Sequence, residues 1–358
     1  MGLIRTLLAL AVVFAHTPWM DGFVFTGGRN AVQLFYIISG FLITFVLTRE
    51  GSYQSVKGFY LNRALRIYPV YLVVAVVALA LSPWIRPEIA HTFRQAPVAA
   101  QWALGVANVT LIGQDWLMFT AVHAGQLHWA SNFKDSEILI HEGLLVPQAW
   151  TLGVELSFYL LAPFVVKHSG RLLALLFLSI GMRVWLATQG LTQDPWTYRF
   201  FPNELALFLV GAATARWLLP AWLRIPGLRD QRAWLALASG AVFLLCLSYA
   251  WIPLPNALRT LILFGLFVPL LPLTFLFQNQ APWDRKIGEL SYPIYVGHMV
   301  AVWSLHQWPA YQAASPAVQS FGAALSALAL AVLLNELIAH RVEGWRDSIR
   351  QRFTLNKP

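Results

Sequence analysis

Several ionisable side chains stand within or at the edges of apolar runs, and each needs a physical reason to be there. In RTLLALAVVFAH, Arg5 and His16 bracket ten apolar or small residues. An imidazole can take a proton from a hydroxyl or carry an acyl group itself, and a guanidinium grips phosphate or carboxylate oxygens. Eleven steps of about 100° come within ~20° of three turns, so both groups face one way on a helix, about 16 Å apart along it. The competing reading makes Arg5 a cytoplasmic anchor and His16 a headgroup-level residue beside Trp19.

The same question arises four more times. NRALRIYP sets Arg63 and Arg66 three residues apart just before the third apolar run, on the side of Arg5. Three such guanidiniums fit a polyphosphate, and equally an anionic lipid headgroup. PQAWTLGVELSFYLLAP buries Glu155 about one turn into an apolar span, where a carboxylate needs a partner or a cavity. YRFFPNELALFLVGAA adds Arg199 and Glu204 at similar depth, to contact a polar substrate or each other. GELSYPIYVGHMV contributes Tyr292 and His298, the latter as a satisfied core histidine or a working one. Ser39 and Gly40 inside an apolar run suit close helix approach, the reading favoured for the pair, or else the lining of a donor channel. HEGLL lacks the second histidine of a zinc-protease helix, and His123 and His128 have no third ligand, so no metal site is expected.

The elements that must position these groups are membrane helices. Of 358 residues 58% are hydrophobic, 11% are charged and sixteen are tryptophan, far from a soluble composition. The formal charge of +9 is spread through short loops between apolar runs, which excludes a nucleic-acid face and sets topology instead. The single cysteine, Cys246, rules out a disulfide framework. Arg5 and the run after it look like a signal peptide, but no A-x-A-like site follows, so an uncleaved first span is expected.

Apolar runs predict helices near 3–20, 31–48, 67–83, 97–113, 150–167, 171–188, 201–219, 233–252, 257–277, 289–307 and 316–339. The basic loops disagree with that count. Arg49, Lys57, Arg63 and Arg66 place one loop inside, RWLLPAWLRIPGLRDQR another and RVEGWRDSIRQRF the C-terminus. One run must therefore not cross. The weakest is 97–113, with Gln101, Asn108 and Thr110, which is expected to lie in the interface or re-enter. The expectation is an all-α, polytopic membrane helix bundle of about ten spans with both termini cytoplasmic, one domain over 1–358 and no appended soluble domain. Residues 114–149 are too long for a connector and form a polar floor outside.

Five stretches taken in order resemble the acyltransferase-3 family of integral membrane O-acyltransferases. They are the R-x10-H of Arg5 and His16, LFYIISGFLIT, NRALRIYP, WTLGVELSFYLLAP and ELSYPIYVGH. The resemblance implies acetyl-CoA or another acyl-CoA as cytoplasmic donor and a sugar or other hydroxyl acceptor in or beyond a bacterial inner membrane. Two departures stand out: the family's frequent second glutamate is Leu156 here, and the late glutamate-proline signature is only approximated by VEGW.

Geometry and resemblance combine into one expected layout. Arg5, Arg63, Arg66 and Ser39 bind the donor, and His16 acts on the acceptor as base or acyl carrier. Glu155 sets the histidine tautomer, while Arg199, Glu204, His298 and Tyr292 contact the acceptor. A macrolide-type acceptor is the alternative within the class. A transporter or flippase is the alternative outside it, but the related halves or matched broken helices it needs are not seen.

Overall fold

The structure is a computed structural model that describes residues 1–49 and 55–354; within the basic loop that follows the second predicted span, 50–54 lie outside the described residues. The chain runs through α1 (Gly2–Phe14), α2 (Gly27–Thr48), α3 (Val56–Ile85), α4 (Glu88–Gln95) and α5 (Val98–Thr110). A hairpin, β1 (Thr120–His123) and β2 (Gln126–Trp129), precedes α6 (Trp150–Val165), α7 (Ser169–Thr188), α8 (Phe201–Ala213) and α9 (Leu219–Leu223). Then come α10 (Arg232–Ser248), α11 (Asn256–Gln280), α12 (Pro282–Glu289) and α13 (Ser291–Leu305). A short α14 (Pro309–Gln312), α15 (Pro316–Leu334) and α16 (His340–Thr354) complete the chain.

Seven helical stretches are long and apolar enough to cross a membrane, including α2, α3, α7, α10, α11, the run from α8 into α9 and the run from α15 into α16. They expose whole faces of large apolar side chains, such as Val76, Leu79 and Trp84 on α3 and Phe177, Leu178 and Trp185 on α7. Water would not tolerate so much exposed apolar area, whereas lipid does. The protein is an integral membrane protein.

Among the described residues, seven helices, α1, α4, α5, α6, α12, α13 and α14, lie outside those stretches, and α1, α6 and α13 form the interior. Ten of the thirteen residues of α1 are buried, as are ten of fifteen on α13 and ten of sixteen on α6. α1 packs against α2, α12, α13 and α15, and α13 against α3 and α15. A close seam joins α2 to α8: a Cβ on Gly40 would stand 1.9 Å from the Phe208 carbonyl oxygen, and one on Gly211 2.0 Å from that of Ile37. Only glycine permits that approach, which bears out the packing role expected of Gly40.

Several predicted boundaries move. The run 3–20 stops being α-helical at Phe14, because His16 and Thr17 tighten into i→i+3 bonds to Val13 and Phe14 and Pro18 cannot donate. α3 begins eleven residues before 67, at a Ser55 cap whose hydroxyl accepts from the Gly58 amide, so Arg63 and Arg66 lie inside a helix rather than ahead of it. α5 keeps only thirteen residues, about 20 Å of rise, before Leu111 turns left-handed at φ 62. The expected polar floor is ordered by four short 3-10 turns and the β1–β2 hairpin, in which Thr120 faces Trp129 and His123 faces Gln126.

Candidate active site

The first cluster forms where α1 ends beside α13. His298 lies fully buried on α13, and its Nδ1 meets the carbonyl oxygen of Tyr295 at 2.7 Å. A carbonyl only accepts, so Nδ1 carries the proton and His298 Nε2 is left as an acceptor. That nitrogen stands 3.3 Å from His16 Nδ1, which also meets the Val12 carbonyl at 2.9 Å. Facing two acceptors, His16 Nδ1 must hold the proton. The lone pair of neutral His16 therefore sits on Nε2, and His16 is an exposed residue. The two rings lie 5.0 Å apart. Tyr295 closes the back of the pair: its hydroxyl meets Thr151 Oγ1 at 2.7 Å, and its ring packs 6.1 Å from that of His298.

This geometry replaces the expected partner of His16. Glu155 does not set its tautomer; the imidazole of His298 does. Glu155 Oε1 instead accepts two 2.6 Å hydrogen bonds, from Ser39 Oγ on α2 and from the Tyr159 hydroxyl one turn along α6. Ser39 is thereby engaged in holding Glu155 rather than simply bordering a channel. His298, expected at the acceptor, is a direct neighbour of His16.

The second cluster gathers at the Arg5 end. Arg5 Nη2 donates to Ser291 Oγ at 2.9 Å and lies within electrostatic reach of Arg66 and Glu155. Arg63 donates to Asn62 Oδ1 at 3.0 Å and leans over the Phe59 ring, while its Nε is buried without a partner. Among the described residues Arg66 makes no hydrogen bond or ion pair, and its charge reaches Tyr159 and Tyr292. Arg5 and Arg66 interact electrostatically, and the Tyr159 hydroxyl, bonded to Glu155, feels the charges of both Arg63 and Arg66. Tyr292 belongs here too. Its hydroxyl donates to the Ile67 carbonyl at 2.6 Å, and the charges that reach it are those of Glu155 and Arg66 rather than the histidine pair.

The two clusters lie along one seam. Arg5 faces α13 through Ser291 and His16 faces it through His298, two turns further along the same helix. The shared orientation read from the spacing of Arg5 and His16 holds even though α1 stops short of His16.

Arg199 and Glu204 do not pair with each other. Glu204 is fully buried between Arg183 Nη2, at 2.9 Å, and Gln33 Nε2, at 3.0 Å, a structural ion pair linking α7, α8 and α2. Arg199 directs Nε to both oxygens of Asp194, at 2.8 and 3.1 Å, lies over the Trp150 indole at 4.3 Å and reaches His16 electrostatically. Sequence reasoning missed Tyr159, Ser291 and Tyr295. Tyr159 and Ser291 carry a signal in retrospect, because Tyr159 is one helical turn from Glu155 and Ser291 two turns from His298.

Comparison with known proteins gives the family. Residues 1–336 match the Acyltransferase domain of the acyltransferase-3 type. The chain is 29% identical over 167 residues to the Peptidoglycan O-acetyltransferase OatA of Listeria monocytogenes serovar 1/2a, a match covering 45% of this chain and 22% of that protein. It is 26% identical over 352 residues to Nodulation protein 10 of Rhizobium leguminosarum bv. viciae, covering 86% of this chain and 85% of the relative. No solved structure matches. A match over nearly the whole chain, taking in Arg5, His16, Glu155 and His298 alike, shows that the protein belongs to the acyltransferase-3 family.

Proposed function

We propose that this chain moves an acetyl or other short acyl group from cytoplasmic acyl-CoA to a hydroxyl of a sugar or polysaccharide on the far side of a bacterial inner membrane. The observation that carries the reading is the fixed tautomer of His16. His298 Nε2 and the Val12 carbonyl hold its Nδ1 proton, so the basic nitrogen is presented outward, as a general base requires. The name of the Listeria relative supports a glycan acceptor.

Chemistry follows from the seam. The coenzyme's phosphates lie against Arg63, Arg66 and Arg5, with Glu155 holding the arginines apart and limiting their repulsion. The uncharged pantetheine then follows α1 and α13 for about 16 Å, comparable to its extended reach, so the thioester arrives at His16 while the charged carrier stays behind. His16 Nε2 takes the acceptor proton, the hydroxyl oxygen bonds to the thioester carbon, the carbon–sulfur bond breaks and the departing thiolate takes the proton back from the imidazolium. His298 steadies that imidazolium as a positioning residue. Seven long helices with α1, α6 and α13 supply ten crossings, with both termini cytoplasmic and α5 lying in the interface.

The direct test uses purified protein in nanodiscs with labelled acetyl-CoA, followed by mass spectrometry of surface glycans from cells with and without the gene. Transfer by the wild type and its loss in a folded His16→Ala variant are expected; undiminished transfer in that variant would falsify the reading. A reporter fused near residue 125 should report the non-cytoplasmic side.

A further inference from the structure

The His16 end holds buried polar atoms that the protein itself leaves unmatched. Gln148 stands just ahead of α6, 5% exposed, and its Nε2 donates to the Val296 carbonyl at 2.6 Å. Because a carbonyl only accepts, the amide cannot be turned over, and Oε1 is the atom without a donor. Two residues on, Trp150 carries Arg199 on its face. Arg199 Nε is engaged by Asp194, while Nη1 is buried and donates to nothing. Both residues are tied to the neighbours of the histidine pair. The Tyr295 hydroxyl donates to Gln148's own carbonyl at 3.0 Å, Val296 lies between Tyr295 and His298, and the charge of Arg199 reaches both His16 and Tyr295. A third unmatched atom, the Tyr36 hydroxyl, is buried within electrostatic reach of Tyr295 and Tyr198.

Each unmatched buried donor or acceptor carries a desolvation cost, and folded proteins carry few of them. A donor and an acceptor left over beside one base therefore point to a ligand that supplies both complements. A simple alcohol brings one hydroxyl, and His16 takes its proton. A sugar ring brings several, so one can be deprotonated while its neighbours accept from Arg199 Nη1 and donate to Gln148 Oε1. Resting on the acyl-transfer reading above, we propose that Gln148 and Arg199 form the acceptor subsite and select a polyhydroxylated, carbohydrate acceptor over a simple alcohol. Asp194 is the positioning residue that turns Nη1 toward the ligand.

The test takes the full chain in nanodiscs with acetyl-CoA and offers methyl glycosides of glucose, galactose and N-acetylglucosamine against 1-hexanol. Wild type is expected to favour at least one glycoside by about a hundredfold or more. One lost hydrogen bond to a charged group corresponds to roughly tenfold or more. Gln148→Leu and Arg199→Gln should therefore raise the glycoside KM about tenfold, leave the acetyl-CoA KM within about twofold and narrow the preference over hexanol. Should Arg199→Gln fold poorly because Asp194 is stranded, the Arg199→Gln/Asp194→Asn pair gives the same readout. Unchanged glycoside KM in the folded variants overturns the subsite, and so does a wild type that uses hexanol as well as the glycosides or acetylates none of them. Where those variants transfer normally and His16→Ala is dead, the subsite fails and acyl transfer stands; where His16→Ala stays active, acyl transfer itself fails.

Discussion

The two ends of α1 meet the same neighbour and solve opposite problems. At the Arg5 end, Arg5 donates to a serine hydroxyl and Arg63 to an amide oxygen, while Glu155 is held by hydroxyls. Positive charge stays in excess there, which suits a ligand that arrives with negative charge. At the His16 end the pair is two neutral imidazoles, ordered by backbone carbonyls that can only accept. A fixed proton position matters there more than charge. Excess positive charge and proton placement are thus separated along one seam, a separation on which the proposed function relies.

The comparison breaks most readily at the imidazole. His16→Ala should lower transfer by about a thousandfold, in the range of general-base losses, with donor affinity unchanged when measured by equilibrium binding. His298→Leu removes the acceptor that orders the tautomer and should lower kcat about ten- to a hundredfold. His298→Gln, which keeps an oxygen acceptor, should recover part of that loss, whereas a merely space-filling role would make leucine and glutamine equivalent. At the other end Arg66→Gln should raise the acetyl-CoA KM about ten- to a hundredfold with acceptor KM unchanged, as one charge-assisted contact is worth about 1.5–3 kcal/mol. Equal effects on both substrates would merge the two ends into one site.

A smaller effect concerns stability near the start of α6. Asp115, 1% exposed, has Oδ1 unmatched, and burial pushes its carboxyl up to about 7. The folded protein therefore keeps a proton that the unfolded chain releases near pH 4, so stability falls as pH rises from about 4 to about 7. Asp115→Asn should flatten that slope in thermal unfolding scans across the same range and leave the ends of α1 unaffected.

Much of the frame was legible in the chain. The predicted 171–188 and 233–252 lie within a few residues of α7 and α10, because a lipid-facing helix must be apolar over its whole length. Arg63 and Arg66 were legible as a pair one helical turn apart, but not the start of α3 at Val56, since propensity at the polar start of α3 is weaker evidence than hydropathy. Glu204 sat plausibly near Arg199 in sequence, yet five residues is not a facing interval on a helix, and Arg183 from α7 took the place. Glu155 was rightly singled out as needing a partner. Nothing local said that the partners were Ser39 and Tyr159.

What the sequence determined alone is the environment of each segment and the common face of Arg5 and His16, since hydropathy and helical periodicity are properties of neighbouring residues. Which imidazole stands behind His16 was decided by the fold. His298 lies 282 residues away, brought within 3.3 Å only because α13 packs along α1, and such a long-range seam is a product of many side-chain contacts that no short window of sequence contains.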